Sequence, residues 1–205
     1  MAEDLEFGFD QDTPEGNDFK FISVSGKDDA IREGIFLEEL KVDKWEDGST
    51  YLEVTVKDKE NKTCNRRYSQ PKIDGNYIKD EAGLKKANEK FSKIAKNIAT
   101  KVLGDAVILG GKTFEDFCNT LVTKVKSNAN WNKIELRCVF VHDNNGYTKL
   151  RSFAPIFELA KIPKVESKLA LSDYDSYTVK KTPNKEEDIP FNTENTSTEE
   201  TKLFE

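Results

Sequence analysis

The residues with the clearest chemical potential are aromatic side chains interleaved with Lys and Arg in the middle of a 205-residue chain. Lysine and arginine neutralise phosphates and release their counterions, and an exposed aromatic ring can stack on any base. Together these chemistries predict a surface that holds a single nucleic-acid strand without reading its sequence, although each aromatic ring would also serve as core. The candidate contact residues are Lys41, Lys44, Trp45, Tyr51, Arg66, Arg67, Tyr68, Arg137, Tyr147, Lys149, Arg151 and Phe153.

The charge of the chain is segregated along its length. The net charge is −6, but residues 1–19 contain seven acidic and no basic side chains, and residues 182–205 contain seven acidic and two basic ones. Residues 20–181 therefore hold the remaining 30 basic and 24 acidic side chains, a net charge of +6. A basic body with acidic arms is expected where the body contacts phosphate and the arms compete with it or bind other proteins. Solubility is the alternative role for such arms.

Hydrophobic periodicity predicts a mainly β body between the two arms. Apolar residues alternate with polar ones from Tyr51 to Lys57, and Asn145-Gly146 is a strong hairpin signal. Apolar residues at a spacing of three and four predict two helices, at 80–103 and 113–127. Strands are predicted at 34–45, 51–57, 63–70, 133–141 and 147–159.

This order of elements matches an α+β, mainly β fold: a five-stranded OB-fold barrel with two helices between strands three and four. We expect residues 20–181 to form this DNA-binding domain, with disordered acidic arms at 1–19 and 182–205. OB barrels bind ligands on strands two and three and in the loops that join strands one to two and four to five. Most of the candidate contact residues fall in those places.

The body from 34 to 162 and the acidic C-terminal arm resemble phage single-stranded DNA-binding proteins with an OB-fold. Residues 186–191, Glu-Glu-Asp-Ile-Pro-Phe, are similar to the acidic tip with which bacterial single-stranded DNA-binding proteins recruit replication and repair partners. That tip ends the bacterial chains, whereas 14 residues follow Phe191 here, so Leu203-Phe204-Glu205 is a second candidate. The resemblance assigns partner binding to Asp188, Ile189, Pro190, Phe191, Leu203 and Phe204.

The resemblance implies a non-enzymatic protein that coats single-stranded DNA during replication, recombination or repair. It implies no cofactor, and it leaves homo-oligomer formation open. A phage-encoded protein of this kind would act in the cytoplasm of the bacterial host. The sequence agrees with that location, because it contains neither a run of about 20 apolar residues nor the pattern of a signal peptide.

Other functions have weaker signals. Residues 106–113 fit a relaxed phosphate-loop pattern, which makes a nucleotide hydrolase the alternative enzyme, but Val-Ile-Leu stand where that loop needs glycines. Cys64, Cys118, Cys138 and His142 are a permissible zinc set with poor spacing, so we expect reduced, buried thiols and a histidine at a loop edge. We find no catalytic constellation. A structural protein whose basic body binds another protein is the third possibility.

Overall fold

The computed structural model of the protein describes residues 21–160, 167 and 169–177. The two predicted acidic arms, 1–19 and 182–205, lie outside the described residues, so their predicted disorder is not tested. The described elements are β1 (Ile31–Lys44), β2 (Thr50–Lys57), β3 (Thr63–Ser69), α1 (Glu81–Leu103), α2 (Phe114–Ser127), β4 (Leu136–His142), β5 (Thr148–Leu150) and β6 (Phe157–Leu159).

The strands form a nearly closed five-strand antiparallel barrel that is consistent with an OB-like barrel. Their hydrogen-bonded order is β3-β2-β1-β4-β5, and β6 extends the same sheet by pairing with β4. The long strand β1 makes this possible, because Phe36–Lys44 pair with β2 while Ile31–Ile35 pair with β4. Gly34, with a φ of +72°, lies where the pairing of β1 with β4 changes register between Arg32 and Ile35.

The seam between β3 and β5 is closed by side chains. Four successive antiparallel pairings leave these two strands parallel. Alternate residues of β3 donate to carbonyl oxygens on or beside β5, so side-chain donors, two of them buried and the Arg66 guanidinium half-buried, hold the seam together. The donors are Cys64 Sγ to Thr148 O at 3.6 Å, Arg66 Nη1 to Leu150 O at 2.6 Å and Tyr68 OH to Arg151 O at 2.8 Å.

Alternate residues of β2 and β3 lie on opposite faces of the sheet, as predicted, but the face of β2 that was predicted to be wet is partly buried, since Tyr51 and Glu53 are each only 5% exposed. Leu52, Val54 and Val56 are buried in the barrel core, as the sequence predicts. The opposite face pairs Tyr51 with Ser69 and Glu53 with Arg67 across the two strands. Since successive side chains of a strand alternate between faces, this outer face of β3 also carries Asn65.

The two helices pack against the barrel through their apolar stripes. The buried stripe of α1 is Phe91, Ile94, Ala95, Ile98, Ala99 and Val102. On the neighbouring side of α1, Asn97 Oδ1 accepts from the backbone N–H groups of Ile156 and Phe157, and its Nδ2 donates to Phe157 O. These bonds fix α1 relative to β6. Among the described residues, no helix has the length and apolar composition needed to cross a lipid bilayer.

The predicted strand from Tyr147 to Leu159 is interrupted. Its ladder with β4 stops at Leu150 and resumes at Phe157. The interruption is an insertion of four residues: Arg151 N donates to Val139 O and Val139 N donates to Ile156 O, so residues 152–155, which include Pro155, lie outside the ladder. The guanidinium of Arg151 turns into the protein, donates to Pro155 O and Ala170 O, and pairs with Asp175.

Candidate nucleic-acid interface

A groove runs along the outer side of β3, between this strand and the β4–β5 hairpin. Two adjoining clefts form it, and both are lined by Asn65 and Lys149. One cleft continues to Trp45 and the other to Tyr147 and Phe21. We call this surface the β3 groove; its lining includes the aromatic and cationic residues Phe21, Trp45, Arg66, Arg67, Tyr147 and Lys149, together with Asn65 and one carboxylate, Asp143.

Trp45 forms one end of the β3 groove. It follows β1 directly, and its side chain is 39% exposed. The ring centroid lies 4.6 Å from that of Tyr51, and the indole Nε1 donates to Ser69 Oγ at 3.2 Å. The guanidinium carbon of Arg67 lies 5.2 Å from the Trp45 ring and 5.1 Å from the Tyr51 ring. These contacts orient the tryptophan while leaving part of its ring open to a base.

A buried carboxylate beneath the groove orients its polar side chains. Glu53 is buried on β2 and accepts from Arg67 Nε and from Asn65 Nδ2, each at 3.1 Å. Lys41 Nζ lies 3.9 Å from the same carboxylate. The hydrogen bond and charge of Glu53 raise the pKa of Arg67 above its usual value. Arg67 is therefore a fixed cation whose position is set before any ligand binds.

The opposite end of the β3 groove is formed by the β4–β5 hairpin and the segment before β1. The predicted Asn-Gly hairpin is confirmed: Asp143 accepts from the backbone of Asn145 and Tyr147, and Tyr147 is 54% exposed at its end. Phe21 is 63% exposed and bridges to Thr63 at the start of β3. This end therefore presents two aromatic rings to solvent.

Several of the predicted contact residues lie elsewhere or serve the fold. Tyr68 and Arg151 are only 7% and 2% exposed, and both are bonded inside the seam and the Asp175 pair described above. Arg137 pairs with Glu33 and Glu158, and it lines neither cleft of the groove. We therefore leave Tyr68, Arg151 and Arg137 out of the proposed contact surface, because the first two are buried and the third lies away from both clefts.

The remaining candidates support or adjoin the groove. Tyr51, a predicted contact residue, is only 5% exposed because Trp45 and Arg67 pack on its ring, so it supports Trp45 and is not an exposed stacking face. Lys44 pairs with Glu115 of α2 at 3.1 Å, next to Trp45 in the chain. Phe153 lies beyond the seam, with its ring 4.6 Å from the guanidinium carbon of Arg151. Asn65 and Phe21 are groove residues that the sequence reasoning missed. Asn65 could be found from the sequence, because residues two apart on a strand share a face and Arg67 was already a candidate. Phe21 had no such signal, because it precedes every predicted strand.

The candidate metal residues are dispersed or already bonded. Among the residues that the structure describes, no three His, Cys, Asp or Glu side chains come together as a metal site. Cys64, Cys118 and Cys138 are free and buried, and burial raises the pKa of Cys64 and of Cys118 to about 12. His142 is the last residue of β4, at the edge of the hairpin loop as predicted, and it is buried with Nε2 2.8 Å from Val24 O.

The segment that fits the relaxed phosphate-loop pattern caps α2. Thr113 Oγ1 accepts from Asp116 N at 3.1 Å, and Asp116 Oδ2 accepts from Thr113 N at 3.2 Å. Gly111 packs so tightly on this turn that a Cβ atom at its position would lie 2.3 Å from Phe117 N. The backbone N–H groups of Thr113 and Asp116 are therefore occupied by the protein's own side chains, and no specific observation favours phosphate binding there.

No protein-family model and no curated protein matches this sequence.

Proposed function

We propose that the protein binds single-stranded DNA along the β3 groove, without catalysing a reaction. One observation carries the proposal: exposed aromatic rings stand at both ends of the groove, and three cationic side chains lie between them. The rings are Trp45 at one end and Tyr147 and Phe21 at the other, and the cations are Arg66, Arg67 and Lys149.

This arrangement favours a single strand over a duplex. Stacking contributes about 1–3 kcal/mol per base and needs a base face that is not already covered by a neighbour. Cations along the strand add affinity by releasing counterions from the phosphates, whatever the base sequence. The groove therefore suits a protein that coats DNA of any sequence, as required in replication, recombination or repair.

The proposal extends to the fold family. We take the barrel to be an OB-fold in which α1 and α2 connect β3 to β4. The chain order of the elements and the parallel seam between β3 and β5 support this assignment. The groove on β3 and the β4–β5 hairpin occupies the region where such barrels bind oligonucleotides. Because its body and acidic arm resemble phage single-stranded DNA-binding proteins with an OB-fold, we propose that the protein is one of them.

The two tryptophans of the chain provide a direct test of the proposed site. Trp45 lies in the groove, whereas Trp131 packs near Lys126 beyond α2. In the W131F variant Trp45 is the remaining tryptophan, so oligo-dT should still quench the tryptophan fluorescence. In the W45F variant the quenching should disappear. Quenching that survives in W45F and is lost in W131F would contradict the proposed site.

Affinity provides a second test of the same groove. Replacing Trp45 or Tyr147 by alanine should weaken oligo-dT binding by about tenfold each, since each change removes one stacking face. Tyr174 is a control, because it is 90% exposed and lines neither cleft of the groove. Y174A should bind like the wild-type protein. Equal effects of Y147A and Y174A would show that exposed aromatic area, and not the groove, determines affinity.

We also propose that the acidic C-terminal arm recruits replication or recombination proteins. The proposed docking residues, from Asp188 to Phe191 and at Leu203 and Phe204, lie outside the described residues. Deleting residues 182–205 removes seven acidic and two basic side chains. The deletion should abolish recruitment of a polymerase or helicase while DNA affinity stays equal or rises. A loss of DNA affinity would contradict this role.

A further inference from the structure

Helix α1 carries a dense set of exposed lysines without carboxylate partners. Its six lysines face only two acidic residues on the same helix, Glu81 and Glu89. Among the described residues, none of the six forms an ion pair; six lysines elsewhere do, at positions 41, 44, 57, 59, 62 and 72, and seven do not, at positions 27, 79, 112, 124, 126, 133 and 149. The lysines of α1 are Lys85, Lys86, Lys90, Lys93, Lys96 and Lys101.

Three of these lysines form a row along one side of the helix. Lys86 and Lys90 are four residues apart, and Lys93 follows three residues later. Side chains at these spacings are neighbours on a helix, and like charges there destabilise it. The row spans about 10 Å of helix length at 1.5 Å per residue. A bound chain of phosphates would relieve this repulsion. We call Lys86, Lys90 and Lys93 the helix row.

The helix row lies close to one end of the β3 groove. Lys90 Nζ is 5.8 Å from the centroid of the Phe153 ring, which is itself partly exposed and packs on Arg151. The carbonyl of Arg151 accepts from Tyr68, near the end of β3. Trp45 reaches the same end of β3 through its hydrogen bond to Ser69. Trp45 and Phe153 are therefore each linked by contacts to the last residues of β3, Trp45 through Ser69 and Phe153 through Arg151 and Tyr68.

The position of the helix row is set by the fold. Asn97 is bonded to the backbone of Ile156 and Phe157, which holds this side of α1 against β6. Because the helix is fixed beside the groove, its lysines can contact a DNA strand that leaves the groove without the entropic cost of ordering a mobile protein segment. The row is thus preorganised for a polyanion that already occupies the groove.

We propose that single-stranded DNA leaving the β3 groove past Trp45 continues over Phe153 and along α1, with the helix row contacting its phosphates. This inference rests on the proposed function and deepens it, because it assigns a second segment of the DNA path. Phe153 offers one further stacking face between the two segments. A short oligonucleotide would fill the groove alone, whereas a longer one would reach the helix.

The test compares two double variants of the full chain that remove the same charge from the same helix. K86Q/K90Q changes the side next to Phe153, and K85Q/K96Q changes a side roughly 110° around the helix at 3.6 residues per turn. Binding of oligo-dT of about 6 and about 25 nucleotides is measured at several salt concentrations, since OB-folds cover roughly 4–16 nucleotides. The wild-type protein and W45A are measured in parallel.

K86Q/K90Q should bind the long oligonucleotide about tenfold more weakly at low salt. Its salt slope, the slope of log affinity against log salt concentration, should fall in magnitude by about 1.4, or 0.7 per lost phosphate contact. Binding of the short oligonucleotide should be close to that of the wild-type protein, and K85Q/K96Q should have a smaller effect on the long one. Equal losses in the two double variants, or no loss in either, would overturn the inference. If the wild-type protein bound neither oligonucleotide, the proposed function itself would fail.

Discussion

The guanidinium of Arg67 is held over the ring of Trp45, with 5.2 Å between its central carbon and the ring centroid. Glu53, from the neighbouring strand, fixes the other edge of the guanidinium through a 3.1 Å hydrogen bond to Nε. A cation and an exposed ring are therefore preset side by side at the end of the β3 groove. Preset geometry lowers the entropic cost of binding a flexible strand.

The Arg67–Trp45 contact predicts that lysine cannot replace Arg67. R67K keeps the positive charge but loses the planar fork that bonds to Glu53 and covers the ring. We expect R67K to weaken oligo-dT binding by about fivefold to tenfold with an unchanged salt slope. R67A should in addition lower that slope by about 0.7, because one phosphate contact is lost. Titrations at several salt concentrations measure both quantities. Wild-type affinity in R67K would show that only the charge of Arg67 matters.

The buried pair between Arg151 and Asp175 predicts a large effect on stability. Both side chains are almost fully buried, and Asp175 also accepts from Ser172 N at 2.7 Å. Asp175→Ala leaves the Arg151 charge in the interior without its partner, which typically costs about 3–5 kcal/mol. The exposed Lys72–Asp47 pair is a control, and K72A should cost less than about 1 kcal/mol. Urea unfolding compares the two variants; equal small losses would contradict the structural role of the pair.

Asp29 predicts a pH-dependent contribution to stability. Partial burial alone would raise its pKa, but hydrogen bonds from the Ser25 and Gly26 backbones and from Arg32 outweigh it and lower the pKa to about 2. A carboxylate with a lowered folded-state pKa stabilises the protein above its unfolded pKa of about 3.9 and loses that contribution as the pH falls towards 2.

The variant D29N isolates this contribution. Because a third of each side chain in the Asp29–Arg32 pair is exposed, the expected loss near neutral pH is only about 1 kcal/mol. Urea unfolding of the wild-type protein and of D29N should differ by this amount at about pH 6, and the difference should shrink below about pH 4. A difference that is as large at about pH 2.5 as at about pH 6 would contradict the assignment.

The sequence predicted those parts of the fold in which one local pattern decides the structure. The alternation of Leu52, Val54 and Val56 gave the core face of β2, and the Asn-Gly signal gave the β4–β5 hairpin. The three-four spacing of apolar residues also gave both helices. In each case, burial of one apolar face contributes most of the stabilising free energy, and the spacing of apolar residues in the sequence identifies that face.

Prediction failed where a polar residue turned inward. Arg151 was expected on an exposed strand, yet its guanidinium is buried against Asp175, 24 residues further along the chain. On β3, Tyr68 reaches the seam with β5 instead of the groove. Arginine and tyrosine suit both a wet and a buried setting, so their types alone do not assign a face. The direction of such a side chain is decided by a bonding partner that is distant in sequence. A local sequence pattern does not contain that partner.

The most direct test of the central claim is a titration of the purified full chain with fluorescein-labelled oligo-dT and with a matched duplex, at two salt concentrations. We predict tight binding to the single strand that weakens steeply with salt, quenching of tryptophan fluorescence and much weaker binding to the duplex. Absence of single-strand binding at low salt, or equal affinity for both DNA forms without quenching, would contradict the account.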